Sequence, residues 1–228
     1  MKILQKTGTY LENKIKLNIK IAFILLVIGL ITLPFFGLGI IFIAISIYFF
    51  AESSPYKSGQ SGEKLVTDTL QSLPDTYYLV NDVNLSNSYG NIDHVVLGNN
   101  GIFIIETKNF EGEIRCNEDM WYQYKDTWKI PDECEIKSPS KQVKRNAVKL
   151  KQFIESNNIF KKQLRIWVEG IIVFTHYNVS LNLNNPTVPV LKIDELNDYI
   201  LNKKSRLVFS QDELRKIGGI LLRQVVED

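Results

Sequence analysis

The chain has 228 residues, of which 45% are hydrophobic and 23% charged, and a formal net charge of +2. This composition suits one globular domain with an appendage. The first 20 residues carry five lysines and one glutamate, so the rest of the chain is slightly acidic. A broadly basic nucleic-acid-binding surface is therefore excluded, and any such contact must come from a local patch.

Residues 1–20 form a basic N-terminal segment, and residues 21–51 contain no charged side chain. Because this apolar run exceeds the ~20 residues that span a bilayer, the sequence predicts insertion into a membrane. A signal peptide is disfavoured, since the run is too long and no small-residue cleavage site follows it.

The topology of this membrane segment has two solutions at the sequence level. Helix breakers between Pro34 and Gly39 would fit either one kinked span or a tight hairpin of two short helices. The preceding lysines place the N-terminus in the cytoplasm. One span would put the following domain outside, whereas a hairpin, which we favour, would return it to the cytoplasm.

Residues 52–62 are polar and rich in serine and glycine, which predicts a linker before a domain over residues 63–228. Ser61 is placed to cap a helix over residues 62–73. A first strand is expected over residues 77–83.

Two apolar runs then flank the turn sequence Gly98-Asn99-Asn100-Gly101, which predicts a β-hairpin. A turn at Asn99-Asn100 would place Asp93 opposite Glu106, and a turn at Asn100-Gly101 would place it opposite Lys108. In either register the three charged groups share one face. Buried charges are costly unless they pair or hold a metal, so this face is a candidate site.

The remaining elements complete a mixed α/β pattern. They are an edge hairpin over residues 113–116 and 120–129, a helix opened by Ser138-Pro139, a buried strand over 170–174, a short strand over 188–193, and helices over 194–201 and 211–226. The order αβββαβ is that of the restriction-endonuclease-like core, a mixed central sheet flanked by helices.

The acids and the lysine fall in an ordered set of segments: Gly62-Glu63-Lys64, Tyr77 to Val83, Gly90 to Val96, and Gly101 to Lys108. This set resembles the nuclease-related domain (NERD) family of the PD-(D/E)xK nuclease superfamily. The resemblance covers residues 57–175 and leaves residues 176–228 as a C-terminal extension.

The resemblance implies a catalytic set of Asp93, Glu106, Lys108 and Glu63. It implies Mg²⁺, or Mn²⁺, bound by Asp93, Glu106, the backbone carbonyl of Thr107 and, as a further ligand, Glu63. Lys108 would orient or deprotonate the attacking water, or stabilise charge on the phosphate. Glu63 could equally be an ordinary acid in a first helical turn.

The helix after Ser138 provides the candidate substrate contacts. Gln142 matches a family glutamine, although Ser138 stands where the family more often has asparagine. The neighbouring basic side chains could neutralise phosphates, or form an ordinary solvated surface. They are Lys141, Lys144, Arg145 and Lys149.

The leading hypothesis is a membrane-anchored, Mg²⁺-dependent nuclease acting on DNA, with its domain in the cytoplasm. The alternative is a membrane-tethered nucleic-acid-binding or adaptor module that keeps the fold with little turnover. Cys116 and Cys134 lack zinc-site spacing; they could form a disulfide, but free thiols are favoured.

Overall fold

The computed structural model describes residues 1–4, 9–33, 37–85, 90–125, 132–157, 159–160, 166–205 and 207–224. The chain divides into two compact units, Gly8–Ser61 and a larger unit of Met1–Thr7 with Gly62–Asp228. The second long helix belongs to both, because it runs from Leu38 to Leu70.

The smaller unit is a pair of antiparallel helices. Helix α1 is Thr9–Thr32 and helix α2 is Leu38–Leu70. Ser46 Oγ donates a 2.7 Å hydrogen bond to the Ala22 carbonyl, and a side chain on Gly39 would collide with the backbone at Gly29. Small residues thus allow close helix packing, as in membrane helices. By length and composition, both helices are candidate membrane spans, and they form the hairpin rather than one kinked helix.

The segment over residues 52–62 is not the linker that its composition predicts, because α2 continues through it without interruption. Pro55 lies inside the helix, where it removes one backbone donor. Ser53 and Ser61, the latter expected as a cap, instead bond back to the carbonyls of Phe50 and Ser58. Helix formation is cooperative, so turns on both sides carry the helix across these weak residues.

The larger unit contains a six-stranded mixed sheet in the order β1-β2-β3-β4-β8-β10. The strands are β1 (Lys2–Ile3), β2 (Tyr78–Val83), β3 (Ile92–Gly98), β4 (Gly101–Lys108), β8 (Val168–Phe174) and β10 (Val190–Lys192). Strands β2, β3 and β4 pair antiparallel, whereas β1, β8 and β10 pair parallel with their neighbours. The expected mixed α/β class is confirmed.

The hairpin expected at the sheet edge belongs to a second sheet instead, with the order β7-β6-β5-β9. Its strands are β5 (Gly112–Asn117), β6 (Met120–Lys125), β7 (Asp132–Glu135) and β9 (Val179–Asn184). The cause is β9, which no strong sequence pattern indicated and which pairs along the full length of β5. The predicted continuation of β6 over residues 126–129 lies outside the described residues.

Helices cover both faces of the six-stranded sheet. They are α3 (Pro139–Ser156), α4 (Leu196–Asn202), preceded by a 3-10 turn over Ile193–Glu195, and α5 (Gln211–Leu222). One face packs against α3 and α5 through residues such as Val143, Leu150 and Leu214. The other packs against the end of α2 and α4, through residues such as Val66 and Ile200. The two cysteines are free, Cys116 buried and Cys134 exposed.

Candidate active site

The β3–β4 hairpin has the register that a turn at Asn99-Asn100 requires. Gly98 pairs with Gly101, and the pairing continues to His94 opposite Ile105. The next step along this register places Asp93 beside Glu106, so this alternative is correct and the turn at Asn100-Gly101 is not. The chemistry-bearing residues therefore lie where the paired part of the hairpin ends.

Asp93 is anchored to the backbone of the neighbouring strand. Its Oδ2 accepts a 2.8 Å hydrogen bond from the Thr107 N–H. The next carbonyl, that of Lys108, accepts from Thr175 on the β8 side. Because successive residues of a strand point their backbone groups to opposite sides, the Thr107 carbonyl faces the Asp93 side. Asp93 and the predicted carbonyl ligand thus share one edge of β4.

Glu106 and Lys108 form a close ion pair on the same face of β4. Lys108 Nζ donates to Glu106 Oε1 at 2.6 Å, and the Glu106 side chain is 2% exposed. The second oxygen, Glu106 Oε2, is buried without a hydrogen-bond partner. Such a buried, unsatisfied carboxylate oxygen is costly and needs an explanation.

Glu63 reaches this region because a glycine precedes it on α2. A side chain at Gly62 would come within 2.8 Å of Thr175 Oγ1 and 3.0 Å of Asn109 Cβ, so only glycine permits this close approach. Glu63 Oε2 is also buried without a hydrogen-bond partner. The helix acid therefore lies among the strand acids and is not an ordinary solvated first-turn residue.

Burial, together with neighbouring charges, perturbs the pKa values of all three predicted acids. Burial, followed by the charges of Asp82 and Glu106, raises the pKa of Glu63 from 4.5 to about 8. Burial, then Glu106 and Glu63, raise the pKa of Asp93 well above its ordinary value. Burial also raises the pKa of Glu106, although Lys108 opposes it. Carboxyl groups so placed hold protons that a cation could displace.

Lys108 stays an ammonium in this environment. Burial acts to lower its pKa, but the charges of Glu106, Asp93 and Glu63 outweigh burial, and its pKa is raised above the ordinary value. With these neighbours, Lys108 is a hydrogen-bond donor and a positive charge, and not a base.

The donor set suits a hard divalent cation, because carboxylate and carbonyl oxygens are what Mg²⁺ prefers. No three His, Cys, Asp or Glu side chains converge in a metal-binding arrangement among the described residues. Asp93, Glu106 and the Thr107 carbonyl still meet the usual need of Mg²⁺, one or two carboxylates with water filling the other positions. The two unpartnered oxygens, Glu63 Oε2 and Glu106 Oε2, provide further capacity.

Two charged residues near this site were missed in the sequence. Asp82 is 5% exposed and lies between the pairs Asn81–His94 and Val83–Ile92, in the register position opposite Asp93. Its φ of 54° is left-handed, a conformation that aspartate tolerates better than most residues. The exposed Lys137 acts on Glu106 and lowers its pKa. Only the strand register could have revealed Asp82, and no local pattern marked Lys137.

The basic face of α3 is partly committed to internal contacts. Lys144 Nζ contacts Asp119 at 2.7 and 2.8 Å and also Thr187 at 3.0 Å. Lys141 and Arg145 are exposed, and Lys149 is half-buried. The last two of these have other interactions within the chain.

The start of α3 has the expected cap. Ser138 Oγ accepts from the Lys141 N–H at 3.3 Å, and Pro139 follows at the first helical position. Gln142 is half-buried in this first turn, and its N–H donates to the Ser138 carbonyl at 3.2 Å. None of the hydrogen bonds in the described part of the chain joins the Gln142 side chain to the acids.

His94 is structural, since it points away from Asp93. It is fully buried, and its Nδ1 lies 2.8 Å from Asn81 Oδ1. Burial lowers the pKa of His94 to about 3, so the ring is neutral at physiological pH.

Two cavities lie away from the acids. One of about 400 Å³ lies by Asn100 and Lys203, and the other, of about 370 Å³, by Lys144 and Val188. Both are lined by Trp167 and Glu169, and neither is lined by an acid of the candidate site.

Buried acids and a lysine at the end of a mixed sheet are the arrangement expected of a nuclease-related domain. The family model described as nuclease-related domain (NERD) matches residues 58–175. Because the match covers more than half of the sequence, the chain belongs to the NERD family.

One curated relative shares part of the chain. It is an uncharacterised protein of Bacillus anthracis, 43% identical over 68 residues, which are 28% of this chain and 32% of that protein. The chain thus aligns with about a third of that relative's length. No solved structure matches the chain.

Proposed function

We propose that this chain is a membrane-attached, Mg²⁺-dependent enzyme that hydrolyses phosphodiester bonds in DNA, with Mn²⁺ as an alternative cation. The observation that carries the proposal is the pair of the buried Glu106 with the partly exposed Lys108, beside Asp93, where β3 and β4 cease to pair. Membership in a nuclease-related family supports it. The succession of α2, β2, β3, β4, α3 and β8, with β5 to β7 inserted before α3, supports the proposal of a restriction-endonuclease-like core.

Each residue has a distinct role in this proposal. Asp93, Glu106 and the Thr107 carbonyl would hold the cation, and Glu63 would complete its surroundings. A bound divalent cation would supply Lewis acidity and lower the pKa of a water molecule. Lys108, as an ammonium, would orient that water and stabilise the negative charge that develops on the phosphate.

The DNA backbone would lie along the first turns of α3. Lys141 and Arg145 are exposed there and could contact phosphates, with Gln142 and Lys149 nearby. Lys144 would contribute less, because leaving Asp119 would cost its existing hydrogen bonds. Phosphate contacts of this kind carry no sequence information, so little sequence preference is expected.

In this proposal, α1 and the first part of α2 attach the chain to the membrane. By length and composition both are candidate membrane segments. The lysines that begin the chain favour a cytoplasmic position for the residues before α1. A domain on the same side would have access to nucleic acid in the cytoplasm.

A tethered nucleic-acid-binding module is the second candidate. It is favoured because, among the described residues, no three His, Cys, Asp or Glu side chains are arranged to hold a metal ion, and because Glu106 is engaged by Lys108. In such a module Lys108 would neutralise Glu106 permanently, and binding would need no cation.

Cleavage by the full chain in detergent distinguishes the two. A fragment starting at residue 52 would lack β1 and cut α2, so it is unsuitable. Supercoiled, linear and single-stranded DNA, with RNA as comparison, would be incubated with and without Mg²⁺ or Mn²⁺. The variants are Asp93→Asn and Glu106→Gln, and Asp198→Asn, at an exposed aspartate of α4, is the matched control.

The nuclease proposal expects cation-dependent cleavage that falls by at least about 100-fold in Asp93→Asn and Glu106→Gln, as for loss of a key catalytic group. Asp198→Asn should cleave like the wild type. Salt-sensitive binding without cleavage in any cation would instead support the tethered module.

A further inference from the structure

We propose that the α1–α2 hairpin enters a lipid bilayer from one side and does not cross it, so that the residues before α1 and the whole larger unit share one aqueous phase. The inference depends on the membrane attachment included in the proposed function. It is independent of whether the domain cleaves nucleic acid.

Strand β1, which precedes the hairpin in sequence, pairs with a strand of the larger unit. The Lys2 N–H donates to the Tyr77 carbonyl and the Leu4 N–H to the Leu79 carbonyl, both at 2.9 Å. Strand β1 is thereby the parallel neighbour of β2, and the Leu4 side chain packs against the core of the larger unit. The chain segment before the hairpin is part of the folded domain that follows it.

This connectivity decides between the two topologies left open by the sequence. A single crossing would place β1 and β2 on opposite sides of the bilayer and break their hydrogen bonds. With β1 paired, an even number of crossings or none is required. The antiparallel packing of α1 and α2, fixed by Ser46 and Ala22, meets that requirement.

The uncharged arms of the hairpin are shorter than the hydrocarbon core of a bilayer is thick. The uncharged part of α1, residues 21–32, is about 18 Å long, and that of α2, residues 38–51, is about 21 Å long, at about 1.5 Å per residue. The hydrocarbon core is about 30 Å thick, so neither arm reaches the far headgroups. The connecting sequence over residues 33–37, Leu-Pro-Phe-Phe-Gly, has no charged or hydrogen-bonding side chain to place in a second aqueous phase.

The hairpin is apolar near its closed end and carries charged side chains near its open end. Large apolar side chains near its closed end are exposed, among them Leu30 at 58%, Ile31 at 65% and Ile40 at 63%. Charged residues occur only towards its open end, as Glu12, Lys14, Lys16 and Lys20 on α1 and Glu52 and Lys57 on α2. An apolar tip with a predominantly basic base fits one leaflet whose headgroups are anionic.

Cysteine labelling of the full chain in bacterial cells tests this topology. In a Cys134→Ser background, which removes the exposed thiol, single cysteines are introduced as Leu38→Cys, Lys57→Cys and Val208→Cys. Leu38 and Val208 are matched as exposed apolar residues, at 55% and 78%, of the hairpin tip and of the domain. A membrane-impermeant maleimide is applied to intact cells, to inside-out vesicles and after detergent.

The proposal expects the cysteines at positions 57 and 208 to react only in inside-out vesicles or detergent. The cysteine at position 38 should stay unreactive in both membrane preparations and react fully in detergent. Labelling of position 38 in intact cells would overturn it, because the tip would then have crossed. Labelling of positions 57 and 208 in intact cells would also overturn it, because the lysines favour the cytoplasm for the residues before α1, and the larger unit would then lie on the opposite side.

A protein that remains in the soluble fraction, with all three positions reactive, would refute membrane attachment itself. Cleavage of DNA by the same preparations is measured separately. If the labelling is as expected but no DNA cleavage is detected, the nuclease proposal is refuted and the one-sided insertion is still supported.

Discussion

Replacing Glu63 with glutamine should remove a pH-dependent loss of stability. The pKa of Glu63 is about 8 in the folded chain, against 4.5 for an ordinary glutamate. The folded state therefore binds this proton more tightly than the unfolded state, and the stability it contributes is complete below about pH 4.5 and is lost as the pH rises through 8. At about 1.4 kcal/mol per pH unit, the full interval corresponds to about 5 kcal/mol.

The pH dependence due to Glu63 is best measured between about pH 6.5 and 8. Histidines of the unfolded chain titrate near pH 6.5 and contribute little above that pH. Within this window, Glu63 should cost the wild type about 2 kcal/mol, which is about 4 to 8 °C in Tm for a domain of this size. The neighbouring acids, whose pKa values are also raised, add to this loss.

The assay is thermal unfolding of the full chain in detergent with EDTA, across this window. Glu63→Gln should lose markedly less stability than the wild type, and Glu111→Gln, at an exposed glutamate, should behave like the wild type. Saturating Mg²⁺ should reverse the wild-type loss, since a bound cation replaces the proton. Parallel pH curves for the wild type and Glu63→Gln would refute the placement of Glu63 among the acids.

Three other changes have expected outcomes. Asp82→Asn removes a carboxylate and should weaken Mn²⁺ binding in calorimetry. Asparagine tolerates the left-handed φ at this position, so Tm at neutral pH should stay within a few degrees of the wild type. Unchanged Mn²⁺ affinity would remove Asp82 from the site. The pKa of His94 is lowered to about 3, so wild-type stability should fall as pH drops from about 6.5 towards 3, and His94→Gln should flatten that slope in acid unfolding curves. Arg145→Ala should weaken DNA binding and its salt dependence, whereas Lys144→Ala should mainly cost about 1 kcal/mol of stability by breaking its pair with Asp119; equal effects of both on binding would contradict this division.

The sequence predicted the centre of the candidate site because its information there is local. Glycines at positions 98 and 101 bracket a two-residue turn, and strand alternation then places Asp93, Glu106 and Lys108 on one face. The two turn positions differed by only one residue, so only the observed pairing could choose between them. Glu63 was indicated by the family resemblance and is supported by the space that Gly62 leaves.

The features that sequence reasoning missed depend on distant pairing. Strand β1 has two residues and acquires its structure only by binding β2, more than 70 residues later. Strand β9 likewise joins β5 across α3 and β8, which moves the predicted edge hairpin into a second sheet. The contact of Lys144 with Asp119 and Thr187 also joins residues far apart in sequence, so composition alone made the whole basic face look available.

The most direct test of the central claim is a single comparison of DNA binding and DNA cleavage by the full chain and its Lys108→Ala variant in Mg²⁺. We expect that the wild type cleaves and that Lys108→Ala, which keeps Asp93 and Glu106, still binds DNA but cleaves at least about 100-fold more slowly. Equal cleavage by both proteins, or binding without cleavage by the wild type, would contradict the assignment of this site as a nuclease centre.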